Sequence, residues 1–218
     1  MYTAIQHPTP DNKIAYTIEF YPEEGKYHYT GHRTCNIRLS PTETKQKGTT
    51  CPVCGKPLTV GVMQRVEDLA GRSEEGIKLE KRKLEGLAME GIGSTVFPSR
   101  PPFVMLVPLQ EIIAEAIGSP VGSPKVQVQY QRLTGTFRSE FSLLLSAPLE
   151  DIRKEAGESI ASALDKVRLG DIVIEPGFDG VFGKVKIWKE GDEKLFDASQ
   201  QQLSMFEPFG SAQDKATH

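Results

Sequence analysis

His32-Arg33-Thr34-Cys35, followed after fifteen residues by Cys51-Pro52-Val53-Cys54-Gly55-Lys56-Pro57-Leu58, is the stretch from which the rest of the chain can be read. Thiols separated by two residues reach one point in space because the chain between them curls into a tight turn. Gly55 lets the backbone leave that turn without a Cβ clash. Backbone N–H groups in such a turn face the sulfurs and stabilise them as thiolates. A tetrahedral zinc ion takes four such ligands at ~2.0–2.3 Å. Three cysteines in 218 residues are too few for a disulfide framework. The rival reading of Cys51 and Cys54 as a redox pair needs an adjacent βαβ pattern, which the sequence lacks. The expected metal ligands are therefore Cys35, Cys51 and Cys54 with His32 as the fourth. His28, between Tyr27 and Tyr29, is the alternative fourth ligand, although a histidine beside aromatics is more often packed than ligating. Four protein ligands leave no open position for water, so the zinc is read as structural.

Charge gives this module a partner. The whole chain carries a net −3, yet residues 26–65 hold seven basic residues, Lys26, Arg33, Arg38, Lys45, Lys47, Lys56 and Arg65, against the single acid Glu43. Screening makes the local field decisive, so a basic patch on an acidic chain can bind phosphates. Arg33, Arg38 and Lys56 are the candidate DNA contacts here.

The flanking sequence reads as an α+β chain: a small zinc ribbon or knuckle, then a mainly helical domain with a C-terminal β-hairpin. Residues 1–25 are a lead-in ending in a strand, Tyr16 to Tyr21, stopped by Pro22. Residues 26–71 form the zinc module, which closes on an amphipathic helix at 62–70. Residues 72–102 read as a linker or insertion with a short helix near 79–89. Residues 103–190 carry helices at 108–117, 126–133, 139–145, 148–155 and 159–169, then a hairpin pairing 172–175 with 184–188. Residues 191–218 are a polar tail. Nothing resembles a secretory leader or a ~20-residue apolar span, so no membrane association is expected and the cytoplasm is the expected location.

The turn Pro176-Gly177-Phe178-Asp179-Gly180-Val181-Phe182-Gly183-Lys184 fails the P-loop pattern in both spacing and final hydroxyl. Two readings stay open for it. The bare turn could approach DNA phosphates with Lys184 and Lys186, while Phe178 or Phe182 stacks on a displaced base. Alternatively it is a glycine-rich hairpin with two core phenylalanines.

Several blocks together, Tyr21–Cys35, Arg38–Pro41, Cys51–Val62, Arg65–Ala70, Pro108–Ala116 and Glu175–Ile187, resemble the C-terminal half of endonuclease Q-like proteins, members of the polymerase and histidinol phosphatase (PHP) superfamily. Residues 72–100 depart from that pattern. The resemblance implies DNA repair at deaminated bases or abasic sites, with lesion presentation as this part's role. It also implies that hydrolysis lies in an N-terminal PHP barrel rich in His and Asp. Only His7 and His218 stand outside the zinc module, too few to build a multi-metal hydrolytic site. The barrel is thus expected to be missing from this chain, which reads as a truncated piece with no catalytic residues of its own; whether it acts as an enzyme stays open. In the tail, Gln202-Leu203-Ser204-Met205-Phe206 resembles the peptide that partners insert into a sliding clamp, with Gln202, Leu203, Met205 and Phe206 as contacts. The alternative packs Leu203 and Phe206 onto the helical unit. An adaptor docking repair proteins to the clamp or to a helicase is the competing functional reading.

Overall fold

Serines and prolines punctuate the chain where its helices begin. The computed structural model describes residues 2–189 and Gly191. Among them run α1 (Tyr2–Gln6), β1 (Thr17–Phe20), β2 (Thr30–His32), β3 (Ile37–Leu39), α2 (Pro41–Lys47), α3 (Val62–Leu69), β4 (Leu79–Lys83), β5 (Glu90–Ser94), β6 (Phe103–Leu106), α4 (Leu109–Ala116), α5 (Pro124–Thr136), α6 (Glu140–Leu145), α7 (Leu149–Ala156), α8 (Glu158–Leu169), β7 (Val173–Glu175) and β8 (Lys184–Lys186). The chain is a mixed α+β protein with small sheets and a C-terminal hairpin, as the sequence pattern implied.

Ser123 and Ser139 cap α5 and α6 by accepting the N–H groups of Val126 and Ser142, and Pro124 opens α5 where its missing N–H costs nothing. Apolar residues at helical spacing then bury one face of each helix. Leu109, Ile112 and Ile113 of α4 and Ile160, Ala163 and Leu164 of α8 are all essentially inaccessible. Each buried Leu or Ile of this kind contributes about 1.5–3 kcal/mol. Arg168, at the end of α8, is buried in this core and donates to the carbonyls of Leu143, Leu144 and Ala147 at 2.7–2.9 Å. It thereby caps the C-terminal end of α6 from a neighbouring helix.

The stretch 72–102, read from sequence as a linker with a short helix, instead builds half of a four-stranded sheet of order β1-β6-β5-β4. β1 lies parallel to β6, with Thr17 opposite Phe103 and Phe20 opposite Leu106. β5 and β4 follow antiparallel. The helix expectation failed because the segment Leu79-Glu80-Lys81-Arg82-Lys83 is an exposed edge strand. Its charges are the kind that protect an unpaired edge. The lead-in also contains a short helix, α1, where irregular chain was expected.

Before the sheet, β2 and β3 pair as a tight antiparallel hairpin. Pro41 opens α2, whose Ser40 and Glu43 form a reciprocal capping box. A small second core, Leu39, Cys51 and Leu58 with Cys35 and Ile37 against it, lies under this module. β7 and β8 pair antiparallel, and the glycine-rich turn between them reaches back to the module.

Candidate metal centre and nucleic-acid face

His32 ends β2, Cys35 sits in the 3-10 turn that follows, and Cys51 and Cys54 flank a turn between α2 and α3. That last turn is closed by Cys51 N–H donating to Lys56 O at 2.8 Å and Gly55 N–H to Cys51 O at 2.9 Å. One ligand atom from each of the four residues lies within 4.8 Å of the others. Such spacing suits one ion with bonds of ~2.0–2.3 Å, so the set could hold a metal such as zinc. His32 Nδ1 is 3.4 Å from Cys54 Sγ. The competing histidine is elsewhere: His28 is buried, with its ring 4.9 Å from that of Tyr29.

The chemistry of the donor set fits a cation. Burial opposes charge on Cys51, yet the backbone N–H of Cys54, the His32 side chain and the Val53 N–H bring its thiol down to about 6. Burial, hydrogen bonding with Cys54 and Cys51, and the like charge of those neighbours push Cys35 up to about 11. Thiolates this close repel one another unless a positive ion lies between them.

The hairpin turn is clipped onto this module by a dense set of bonds. Tyr29 N–H donates to Gly177 O at 2.9 Å, Gly177 N–H to Glu23 O at 2.8 Å and Gly180 N–H to Lys26 O at 2.9 Å. Asp179, in the left-handed region at φ 43°, accepts the Arg33 N–H at 2.7 Å and the Thr59 hydroxyl at 2.5 Å. Those two donors, the hydroxyl first, lower its pKa below the ordinary aspartate value. Sequence reasoning missed Asp179; its position before Gly180 in a turn was the available signal.

The residues expected to contact DNA differ in their settings. Arg33, Lys56 and Lys184 are exposed. Arg38 is exposed but tethered: it donates to Pro176 O at 3.1 Å, and its guanidinium lies 5.9 Å from the centre of the Phe178 ring. Lys186 pairs with Glu175 at 2.5 Å, so its charge is partly offset. Phe178 is mostly covered, yet lines the cleft between module and hairpin together with Phe182. It is buried against Gly31, because the turn needs an apolar side chain to seat it on β2. Phe182 is the exposed phenylalanine of the turn, and Lys26 Nζ lies over its ring at 5.3 Å. Between module and hairpin opens a cleft of about 440 Å³, lined by Asn36, Arg38, Glu175, Phe182 and Lys184 among others. The clamp-type residues Gln202, Leu203, Met205 and Phe206 lie outside the described residues. Among the described residues no helix is long and apolar enough to cross a membrane.

Fold and site together define a class: a mixed α+β chain in which a knuckle of one histidine and three cysteines, able to hold a metal ion, is locked to a helical unit through a glycine-rich hairpin. Comparison with known proteins narrows the class. Residues 108–171 match the family described as the MJ0043 C-terminal domain. The chain is 30% identical to the uncharacterized protein MJ0043 of Methanocaldococcus jannaschii, over 84% of its own length and 20% of that protein. It is 26% identical to the uncharacterized protein YqxK of Bacillus subtilis, over 81% of its length and 36% of that protein. Among solved structures it resembles the lesion-specific endonuclease PfuEndoQ from Pyrococcus furiosus, with a TM-score of 0.67 and 28% identity over 94% of this chain. It also resembles endonuclease Q bound to a 27-mer duplex substrate with an abasic lesion at the active site, with a TM-score of 0.64 and 30% identity over 90% of this chain. The chain spans 44% of each of those solved chains. These matches fit the C-terminal part of an endonuclease Q-like protein.

Proposed function

We infer that this chain is the DNA-engaging, lesion-presenting part of an endonuclease Q-like repair nuclease, organised by one structural zinc ion. The observation that carries the reading is the likeness, over 90% of this chain, to endonuclease Q in complex with a duplex bearing an abasic lesion. The residues supply a physical basis. His32, Cys35, Cys51 and Cys54 would hold zinc, whose role is to fix the module's shape and leave no position for a water nucleophile. The fixed module presents Arg33, Arg38 and Lys56 beside Lys184 and Lys186 of the hairpin, a cationic face suited to phosphates. Phosphodiester cleavage would belong to a PHP-type domain outside the residues described; none of the side chains here is assigned a catalytic role.

The test is a binding titration of the zinc-loaded chain with duplexes carrying deoxyuridine, deoxyinosine or an abasic site, against an undamaged duplex, over a range of salt. The damaged duplexes should bind more tightly. Affinity should fall linearly on a log–log scale with salt, and Lys184→Glu or Lys56→Glu should each reduce the slope by about one. Binding that is absent, or that ignores salt, would defeat the reading.

A further inference from the structure

β4 ends the four-stranded sheet on one side, and no described residue pairs with its outer edge. The register tells which backbone groups that edge presents. Thr95 N–H donates to Lys78 O at 3.1 Å. Partners along an antiparallel ladder alternate between hydrogen-bonded and non-bonded pairs. With Leu79 opposite Ser94 and Lys83 opposite Glu90, the bonded pairs are therefore Glu80–Gly93 and Arg82–Gly91. The N–H and C=O groups of Leu79, Lys81 and Lys83 point away from the sheet.

The side chains leave this edge open. On one face Arg82 pairs with Glu80 at 3.0 Å and donates to Ser94 O at 2.9 Å, which lays it inward over β5. On the other face Leu79, Lys81 and Lys83 stand in a row, as alternate residues of a strand do. Lys81 and Lys83 are exposed, and Leu79 is 49% exposed. Lys81 Nζ donates to Leu169 O at 3.1 Å, at the end of α8, and an ammonium has further donors to give. Glu90 stands opposite Lys83 in β5, but no ion pair joins the two among the described residues. The row thus runs from apolar at Leu79 to cationic at Lys83.

Three kinds of occupant meet this edge differently. A second copy of β4 laid antiparallel on the first brings Lys81 against Lys81, and like charges directly opposite destabilise a pair. A nucleic-acid backbone offers phosphate oxygens, which only accept, so the outward carbonyls of Leu79, Lys81 and Lys83 would face negative charge. An extended peptide supplies donors and acceptors in the alternation the edge requires, and acidic side chains on it would meet the lysines.

We propose that the outer edge of β4 receives an extended acidic segment of a partner protein as an added strand, with acidic side chains opposite Lys81 and Lys83 and an apolar one opposite Leu79. The antiparallel direction is slightly the more stable, and it fixes the order of those side chains along the segment. The proposal goes beyond the DNA-engaging reading and does not depend on it.

The probe is the blocked peptide Thr-Glu-Thr-Glu-Thr-Leu-Thr, added to the full zinc-loaded chain. Amide hydrogen exchange read residue by residue should slow at Leu79, Lys81 and Lys83, the outward N–H groups, and stay unchanged at Glu80 and Arg82. The same peptide N-methylated at both glutamates and the leucine keeps its charge but loses the donors that face β4, and it should not bind. Lys83→Glu should weaken the unmodified peptide by about 2- to 30-fold, the change expected when a facing opposite charge becomes a like one. Lys83 is exposed, so an unchanged melting temperature in that variant shows that the sheet is intact. Absence of protection at the three outward amides overturns the proposal. Equal binding of the N-methylated peptide overturns it too, leaving charge attraction without strand pairing. So does protection of the same amides by duplex DNA in preference to the peptide, or by rising protein concentration alone, which makes the occupant a nucleic acid or a second copy.

Discussion

Asp179 Oδ2 accepts the backbone N–H of Arg33 at 2.7 Å, joining the tip of the C-terminal hairpin to the residue that follows the imidazole of the candidate metal centre. The same carboxylate holds the Thr59 hydroxyl, so one side chain ties two segments of the metal module to the hairpin. It adds a side-chain tie to the backbone bonds that Gly177, Gly180 and Gly183 make across the same junction.

Replacing Asp179 should therefore loosen the junction. Asp179→Ala removes two solvent-accessible hydrogen bonds and should cost about 0.5–1.5 kcal/mol in urea denaturation. Asp179→Asn should cost less, since asparagine tolerates the left-handed backbone and keeps one acceptor oxygen. The pH dependence has a defined sign. The folded-state pKa is lowered relative to the ordinary 3.8. The stability from this group is therefore fully present above that value and is lost as pH falls through the folded pKa. Asp179→Asn should abolish that part of the acid transition.

Gly183 makes a different kind of contact. A Cβ built there would stand 2.0 Å from Glu23 O and 2.8 Å from Glu175 O, both backbone atoms that cannot swing aside. Gly183→Ala should push the hairpin off the 22–25 turn and lower stability by about 1–3 kcal/mol. Hydrogen exchange should then show faster opening of Tyr29 and Gly180, whose N–H groups donate across this junction.

Arg168 is buried and donates to three carbonyls at the end of α6. Arg168→Ala leaves those acceptors dry and should destabilise the helical unit by about 2–4 kcal/mol. Arg168→Lys should recover only part of the loss, because an ammonium lacks the planar fork that reaches several carbonyls at once. Thermal denaturation followed by far-ultraviolet circular dichroism reads both.

Metal removal should act selectively. The module's own core is Leu39, Cys51 and Leu58 with Cys35 and Ile37, so two of its five members are themselves expected ligands. A cluster that small cannot hold its shape by burial alone. The helical unit has a separate and much larger core. Stripping the ion with a chelator should collapse the module while most of the helical signal persists, and zinc content should fall from about one ion per chain to none. Loss of the helical signal in parallel would contradict the separation.

Much of the metal site was legible in sequence because its chemistry is local: a thiol pair two residues apart and a turn glycine state their purpose without the rest of the fold. The fourth ligand was not settled that way. His28 and His32 are both near enough in sequence, and what separates them is that His28 is turned into a packed site beside Tyr29. The helices of the second unit were readable from their caps and apolar spacing. The four-stranded sheet was hidden for two reasons. Its β1–β6 pairing joins segments from opposite ends of the first half of the chain, and its edge strand is charged where a pattern reader expects alternation. The two phenylalanines of the turn look alike in sequence for a related reason, and only docking onto β2 shows that Phe178 is the buried one.

One coupling underlies the proposed function: a metal ion at His32, Cys35, Cys51 and Cys54 shapes the face that meets DNA. The direct measurement is the affinity of the chain for an abasic-site duplex before chelation, after it, and after zinc is returned. A drop of at least about tenfold on removal, reversed on readdition, is the predicted result. Equal affinity with and without the metal, in protein whose zinc content has been measured, would contradict it.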